Sequence, residues 1–252
     1  MMKPDQAEIV LNQAMDVGEQ MLSNGAEVHR VENTIRNICM AYGAARVDVF
    51  SITSFISATL FVQSGHTVTS VRRIVSNAYD LHRVQLLTRL VYRICAKKPA
   101  LEEIPRMLAE IETAPKYTLI QQMLIFALVS SSFTIFFDGD WKDVICSVLI
   151  GMVLKLVEYH VGRDLINTLC KSLLCSLVGG TLSHLVVALK LGSNVQAISI
   201  GNIMLFIPGI AFTNSLRDLM AGDTVTGLIR LCESLLTAVV VALGFTLPHF
   251  MF

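Results

Sequence analysis

The chain has 252 residues, of which 53% are hydrophobic and 16% are charged, and its mean hydropathy is +0.60. About a quarter of the residues of a typical soluble domain are charged, so this composition excludes an ordinary soluble protein and indicates burial in a lipid bilayer. The formal net charge is zero, and the basic residues of the N-terminal part are interspersed with acids. This distribution excludes the basic surface of a nucleic-acid-binding protein.

Charge is unevenly distributed along the chain and divides it into two predicted domains. Residues 1–117 carry 25 of the 40 formal charges. We therefore predict a small α+β domain over residues 1–115 and a transmembrane domain over residues 116–252. The first ten residues, MMKPDQAEIV, lack the apolar stretch of a signal peptide, so we expect the first domain to be cytosolic.

In the first domain, helical and strand periodicities alternate with short turn sequences. Asn24-Gly25 and Ser64-Gly65 have the composition of tight turns, and the second lies between two β-branched segments, where it predicts a hairpin. The pattern predicts two helices, a three-stranded meander and two further helices, over residues 5–23, 26–42, 46–53, 58–63, 67–74, 80–96 and 101–112.

Apolar segments dominate the second domain. Residues 118–137 contain no charged side chain, and such a segment of about 20 residues crosses about 30 Å of hydrocarbon. The second segment is shorter and carries Lys155 and Glu158 near its end, so a re-entrant segment is the alternative to a full crossing. We predict an α-helical polytopic membrane protein with about five transmembrane helices, over residues 118–137, 143–159, 165–189, 195–213 and 225–247.

Positive charges predict the orientation of these helices. With the N-terminus in the cytosol, Lys116, Arg163 and Arg217 lie at cytosolic ends, while Lys142 and Lys190 lie outside, beside two aspartates. Five crossings place the C-terminus outside the cell. A re-entrant second segment would reverse the parity and this orientation with it.

The fourth apolar segment contains a proline–glycine pair. Pro208 lacks an amide hydrogen and crowds the preceding helical turn, and Gly209 adds flexibility, so we predict a kink or break at mid-membrane. Such a break is either a packing kink or part of a binding site. Polar residues flank it on both sides: Asn202, Asn214, Arg217 and Asp218. They favour a binding site in which a half-helix N-terminus and a nearby arginine attract a carboxylate.

Further charges lie at membrane depth in the fifth and third segments. Arg230 and Glu233 are three residues apart and share a helix face, and Lys171 is at a similar depth. Ionisable groups at this depth are costly and usually face a partner or a water-filled cavity. The residues therefore form either an internal salt bridge or the lining of a pathway for a charged or zwitterionic solute.

Cysteine and histidine positions indicate neither a disulfide framework nor a metal site. The six cysteines include no C-x-x-C pair, and His160 and His184 have no second ligand at metal spacing. Either histidine is interpreted as a hydrogen-bonded structural residue, with a proton relay as the alternative. We expect no metal and no cofactor.

Four segments carry a family pattern: GAEVHRVENTIRNICMAYG (25–43), VDVFSIT (47–53), VTSVRRIVSNAYDLHRVQ (68–85) and, most specific, IPGIAFTNSLRDLMAGDTVTGLIRL (207–231). They resemble the N-terminal half of the threonine/serine exporter family. The resemblance implies a transporter of ten helices, in one chain or split between two proteins, the split form including a two-component succinate exporter. It therefore implies a separate five-helix membrane subunit as the partner, entering the bilayer in the inverted orientation.

The resemblance also singles out residues. It implies that Pro208 and Gly209 form the break and that functional positions follow at Asn214, Arg217, Asp218, Gly222, Asp223, Gly227 and Arg230. In the first domain, Glu27, His29, Arg30 and Glu32 match a family-like segment, with a solvated helix start as the alternative reading.

These observations predict one component of a secondary exporter in the bacterial cell membrane. Its solute is a small carboxylate-bearing metabolite, either an amino acid such as threonine or serine or a dicarboxylate such as succinate. The candidate substrate-binding residues are Asn202, Pro208, Gly209, Asn214, Arg217 and Arg230, and the candidate proton carriers are Asp218 and Glu233.

Two other classes of function remain open. A membrane sensor or scaffold is the main alternative. A hydrolase that uses His29 and Glu32 lacks an assembled nucleophile and base, so we predict that the protein is not an enzyme. The sequence also leaves open a homo-oligomer.

Overall fold

The computed structural model describes residues 4–75, 79–115, 117–161 and 167–250. Its elements in chain order are α1 (Pro4–Ser23), α2 (Val28–Ala41), β1 (Arg46–Ile52), β2 (Phe55–Phe61), β3 (Thr67–Arg73), α3 (Leu81–Lys97), α4 (Glu103–Glu112), α5 (Leu119–Phe136), α6 (Trp141–Val161), α7 (Thr168–Ala188), α8 (Val195–Ile203), α9 (Gly209–Ala221), α10 (Thr224–Thr246) and a 3-10 helix (Leu247–Phe250). Lys116 and Arg163, on which the predicted orientation partly depends, lie outside the described residues.

The chain forms two compact units. The first unit contains Met1–Pro115 together with Ala211–Leu231, and the second contains Lys116–Ile210 together with Cys232–Phe252. Helix α10 therefore begins in the first unit and ends in the second.

The core of the first unit lies between a three-stranded antiparallel sheet and two helices. The strands pair in the order β1-β2-β3, with Ala58 opposite Val49 on one side and Ser70 on the other. Alternation along β2 directs Ile56, Ala58 and Leu60 inward, because successive side chains of a strand point to opposite faces. Helix α1 packs on β2 and β3, and α2 packs on β1. The predicted helices and the meander of this unit are confirmed.

Two glycines close turns that the sequence predicts. Gly25 and Gly65 have φ values of 89° and 85°, in the left-handed region that glycine adopts without steric penalty. Gly65 lies in the β2–β3 hairpin, where Val62 N donates to His66 O at 2.9 Å. Gly25 lies in the turn after α1, and residues 24–27 lead from this turn into α2.

Four helices in the described part of the chain are long and apolar enough to cross a membrane: Leu119–Phe136, Trp141–Val161, Thr168–Ala188 and Thr224–Phe250. Only 17–28% of each apolar window is buried within the chain. Apolar surface of this extent requires lipid or another protein to cover it, so the fold is that of a polytopic membrane protein. Helix α6 has 21 residues, which is long enough for the second predicted span to cross fully.

The fourth predicted span is interrupted. Helix α8 ends at Ile203 after nine residues, or about 14 Å, and α9 begins only at Gly209. The break predicted from Pro208 is thus present as a full interruption of the helix. Helix α9 then continues to Ala221, through residues that the sequence pattern assigns to a loop, and most of it belongs to the first unit.

Candidate functional site

A tight elbow joins α9 to α10 within the first unit. Gly222 has a φ of 95°, and Asp223 N donates to Asp218 O at 3.0 Å, which caps the end of α9. At Gly227, an added Cβ would lie 2.6 Å from Leu219 Cγ. Glycine at this position lets the first turn of α10 approach α9 closely.

A buried ion pair spans the elbow. Arg230 Nη1 lies 2.9 Å from Asp218 Oδ2, and the two side chains are 7% and 1% exposed. Arg230 Nη2 also donates to the backbone oxygen of Ala26 at 3.2 Å. One guanidinium therefore joins α9, α10 and the turn that precedes α2.

Two further contacts connect α9 to the same turn. Arg217 forms an ion pair with Glu27, the residue that precedes the first turn of α2. Asn214 Nδ2 donates to Gly25 O at 3.4 Å. We call the set formed by these residues the elbow site; it consists of Gly25, Ala26, Glu27, Asn214, Arg217, Asp218 and Arg230.

Burial and three neighbouring charged groups act on the pKa of Asp218. Burial raises the pKa of the Asp218 carboxyl, Arg230 lowers it, and the negative charges of Asp223 and Glu27 raise it further. The net direction is upward from its ordinary value of 3.8. A buried carboxyl shifted in this direction is suited to binding and releasing a proton.

Glu32, on α2, is a second carboxyl in this part of the unit. Burial raises its pKa, hydrogen bonds from Ser51 lower it, and the charge of Asp223 raises it. Ser51 N and Oγ donate to Glu32 Oε1 at 2.8 and 3.2 Å. The solvated helix start that the sequence leaves open for Glu32 therefore does not describe this side chain.

Asn202 occupies a different site, inside the second unit. Its side chain is fully buried, with Oδ1 accepting from Ser130 Oγ at 2.8 Å and Nδ2 donating to Ile198 O at 2.9 Å. Ser130 and Thr134 continue the network to the backbone oxygen and hydroxyl of Ser147, at 3.0 and 2.7 Å. This network satisfies polar groups between α5, α6 and α8.

The remaining predicted site residues also lie in the second unit. Pro208 and Gly209 form the interruption between α8 and α9, and no atom lies within 4 Å of a Cβ added at Gly209. Glu233 is exposed on α10. The internal salt bridge considered for Arg230 and Glu233 is replaced by the pair between Arg230 and Asp218. The structure thus brings together Asn214, Arg217, Asp218 and Arg230 of the eight predicted residues.

A second charged cluster lies between α6 and α7 in the second unit. Glu158 Oε2 lies 2.7 Å from Lys155 Nζ, and Glu158 Oε1 lies 3.2 Å from Lys171 Nζ. The side chains are 14%, 25% and 29% exposed for Lys155, Glu158 and Lys171. Lys155 and Glu158 lie three residues apart on α6, and Lys171 joins them from α7 through the packing of the two helices.

Sequence reasoning missed two parts of these sites. The backbone oxygens of Gly25 and Ala26 accept hydrogen bonds from the site, and the side chains of these two residues do not indicate this role. Asp143 is fully buried, and its Oδ1 accepts from Ser193 N at 2.6 Å and Asn194 N at 3.1 Å. The position of this aspartate at the start of an apolar segment was the feature of the sequence that could have indicated its role. The described residues contain no group of three or more His, Cys, Asp or Glu side chains arranged to hold a metal ion.

The fold and the elbow site together define a polytopic membrane protein with an α+β unit and a broken helix that leads into a buried ion pair. The chain belongs to the threonine/serine exporter family, because the family model described as "Putative threonine/serine exporter" matches residues 12–249. The resemblance carried by the four sequence segments is therefore confirmed.

Two curated relatives support the assignment. The "Threonine/serine exporter" of Corynebacterium glutamicum is 23% identical over 238 residues, which cover 90% of this chain and 48% of the relative. The "Probable threonine/serine exporter" of Mycobacterium tuberculosis is 25% identical over 246 residues, which cover 93% and 45%. The chain thus spans about half the length of these relatives. No solved structure matches it significantly.

Proposed function

We propose that this protein is one half of a secondary exporter for a small carboxylate-bearing metabolite, either a threonine- or serine-type amino acid or a dicarboxylate such as succinate. The observation that carries the proposal is the buried pair of Asp218 and Arg230, placed directly after the broken helix of a chain of the threonine/serine exporter family. Intramembrane or membrane-adjacent ion pairs of this kind commonly mark solute and proton pathways.

The pair suggests how proton and solute exchange. When Asp218 is ionised it holds Arg230, and when it is protonated the guanidinium is released to bind the carboxylate of a solute. Arg217 lies on α9 beside Asp218 and pairs with Glu27, and it attracts the solute in the same way. Glu233, exposed further along α10, is the second proton carrier of the proposal.

The proposal includes a partner and an orientation. Residues 195–213 complete a fifth crossing, which puts the two termini on opposite sides of the membrane. The excess of positive charge at the cytosolic ends then puts the N-terminus in the cytosol and the C-terminus outside. A separate five-helix subunit supplies the second wall of the pathway, in the inverted orientation. Support comes from the relatives, which are about twice as long as the matched region, and from the inverted repeats on which many transporters are built.

Transport in proteoliposomes tests the proposal. Efflux of labelled threonine and succinate is measured with this chain alone, with the second subunit alone and with both. Asp218→Ala and Arg217→Ala are expected to abolish export by the complete pair at normal protein levels. The control is Arg106→Ala, which removes an exposed ion pair with Glu110 in the same unit. Wild-type efflux of neither solute, or full efflux by both site variants, would overturn the proposal.

A ligand sensor is the second candidate, because three of the predicted site residues contact the turn before α2. A sensor would bind threonine or succinate without moving either solute across the bilayer. Equilibrium binding and efflux, measured on the same reconstituted protein, separate the two functions.

A further inference from the structure

The cluster of Lys155, Glu158 and Lys171 contains more positive than negative charge. Each carboxylate oxygen of Glu158 accepts from one lysine, at 2.7 and 3.2 Å, so a single carboxylate serves two ammonium groups in this cluster. An ammonium group has three hydrogen-bond donors. Within the described ranges, donors on both lysines therefore remain for a further acceptor, and the three side chains together have a net charge of +1.

The position of Lys155 makes this excess charge informative. It lies six residues before the end of α6, or about 9 Å from it, inside an apolar helix that is long enough to cross the bilayer. Lys155 Nζ also lies 4.8 Å from the ring centroid of Phe126, on α5, which holds the ammonium by a cation–π contact. Among the residues that the structure describes, the excess positive charge forms no ion pair with a second carboxylate. Charge at such a position is costly, so it indicates a functional site.

Partial exposure makes the cluster accessible to a ligand. The side chains of Glu158 and Lys171 are 25% and 29% exposed, whereas Asp218 in the elbow site is 1% exposed. A carboxylate is the ligand chemistry that the site already accommodates, since Glu158 occupies it. Replacement of one carboxylate by another leaves the number of charge-assisted hydrogen bonds nearly unchanged, which permits binding and release.

We propose that Lys155 and Lys171 form a second carboxylate-binding subsite, in which Glu158 is an internal occupant that the carboxylate of the exported solute displaces. This inference rests on the proposed export function. It adds a place at which the solute binds outside the elbow site. If the solute is an amino acid, its ammonium group pairs with the displaced Glu158; if it is a dicarboxylate, Glu158 only competes with it.

Equilibrium binding to the whole 252-residue chain tests the subsite. Labelled succinate and threonine are titrated against the wild type, Lys155→Met, Lys171→Met and Glu158→Gln in nanodiscs. We expect each methionine variant to weaken binding of the transported solute about tenfold, as loss of a charge-assisted hydrogen bond does. Glu158→Gln removes the competitor and is expected to strengthen succinate binding severalfold, and to weaken threonine binding because the ammonium loses its partner.

Matched variants separate this role from a structural one. Lys142→Met removes an exposed lysine from the other end of α6 and is expected to leave binding unchanged. Lys155→Arg and Lys171→Arg keep the charge and should retain most of the affinity, even if the methionine variants do not fold. A purely structural ion-pair network predicts instead that Glu158→Gln weakens binding of both solutes in parallel with the lysine variants and in proportion to the loss of thermal stability. That result would overturn the proposal.

The lipid composition distinguishes a solute from a headgroup. The titrations are repeated in phosphatidylcholine alone and in phosphatidylcholine with phosphatidylglycerol. An effect of the lysine variants that appears only with the anionic lipid would identify a headgroup site and overturn the subsite. Wild-type efflux with unchanged binding by all cluster variants would refute the subsite but not the exporter. Absence of both efflux and binding in the wild type would refute both.

Discussion

Arg230 on α10 donates from Nη1 to Asp218 Oδ2 on α9 at 2.9 Å, across an elbow that separates the two residues by twelve positions. The side chains are 7% and 1% exposed. Removal of one partner of a buried pair leaves the other charge buried without compensation, whereas an exposed pair contributes little. We therefore expect the pair to contribute to the stability of the elbow, and Arg230 lowers the pKa that burial raises at Asp218.

We expect Arg230→Met to destabilise the protein by about 3–5 kcal/mol at pH 8. The loss should be smaller at pH 5, because without the guanidinium the pKa of Asp218 rises further and the carboxyl is protonated. Thermal unfolding of the full chain in detergent at the two pH values measures this difference. The control is Arg217→Ala, whose pair with Glu27 is 59% exposed at the arginine and should cost about 0–1 kcal/mol. Equal losses for both variants would contradict a buried pair at the elbow.

The pKa of Glu32 predicts a pH dependence of stability in the first unit. Burial raises this pKa above its ordinary value of 4.5, so the folded state retains the proton to a higher pH than the unfolded state. Protonation of Glu32 therefore contributes fully to the free energy of unfolding below pH 4.5. This contribution is lost as the pH rises through the pKa of the folded state, with a slope of at most about 1.4 kcal/mol per pH unit. Glu32→Gln keeps an acceptor for Ser51 and should remove this slope from the melting temperature.

Ser51→Ala provides a matched test of the same carboxyl. The hydrogen bond from the Ser51 hydroxyl, at 3.2 Å, lowers the pKa of Glu32, and the substitution removes it. The backbone donor at 2.8 Å is retained, so the pKa of Glu32 should rise. The window in which stability is lost should therefore move to higher pH. Curves for both variants that run parallel to the wild-type curve would show that Glu32 does not titrate as its burial implies.

Packing of α8 against α5 depends on Gly201. A Cβ at this position would lie 2.1 Å from Thr134 Oγ1 and 2.8 Å from the backbone oxygen of Ser130. Overpacking of this kind costs about 1–3 kcal/mol, so Gly201→Ala should lower the thermal stability of the purified protein. At Gly209 an added Cβ meets no atom within 4 Å. Gly209→Ala should therefore unfold at the wild-type temperature, and equal destabilisation by both variants would refute this packing.

The proposed five crossings predict the location of the C-terminus. Alkaline phosphatase, which is active only outside the cytoplasm, should be active when fused after Phe252 and inactive when fused after Ala221. Green fluorescent protein should show the opposite pattern, because it folds in the cytoplasm. Two fusions that report the same side would exclude a crossing by α10. If the fusion after Ala221 reports the outside and the fusion after Phe252 reports the cytoplasm, the number of crossings before Ala221 must differ by one from the proposed four.

Local pattern was sufficient for most of the secondary structure. The alternation in β2, the turn sequences at Gly25 and Gly65 and the uncharged stretch of α5 each depend on a few neighbouring residues, and all of these elements are present. The ends of the helices on either side of the break could not be predicted as well from the local sequence. Pro208 predicts where a helix stops, but the local pattern does not predict that α9 continues to Ala221, through Asn214 and Arg217, which contact residues far away in sequence.

Ion-pair partners are harder to predict from the sequence than helices and strands. Arg230 and Glu233 share a helix face, so spacing favours their pairing, yet Arg230 pairs with Asp218 and contacts Ala26 O. Local spacing ranks candidates on one helix and contains no information about a turn 204 residues away in sequence. Lys171 joins Glu158 for the same reason, through the packing of α6 and α7.

Composition, the apolar segments, the proline–glycine pair and the family pattern are properties of the sequence by itself, and they determined that this is a membrane protein of the threonine/serine exporter family with an interrupted helix. The tertiary structure alone decided which charges meet. Hydrophobic periodicity acts over one or two turns, whereas the free energy of a buried charge depends on the one guanidinium or carbonyl within about 3 Å, and the fold brings that group from a distant part of the chain.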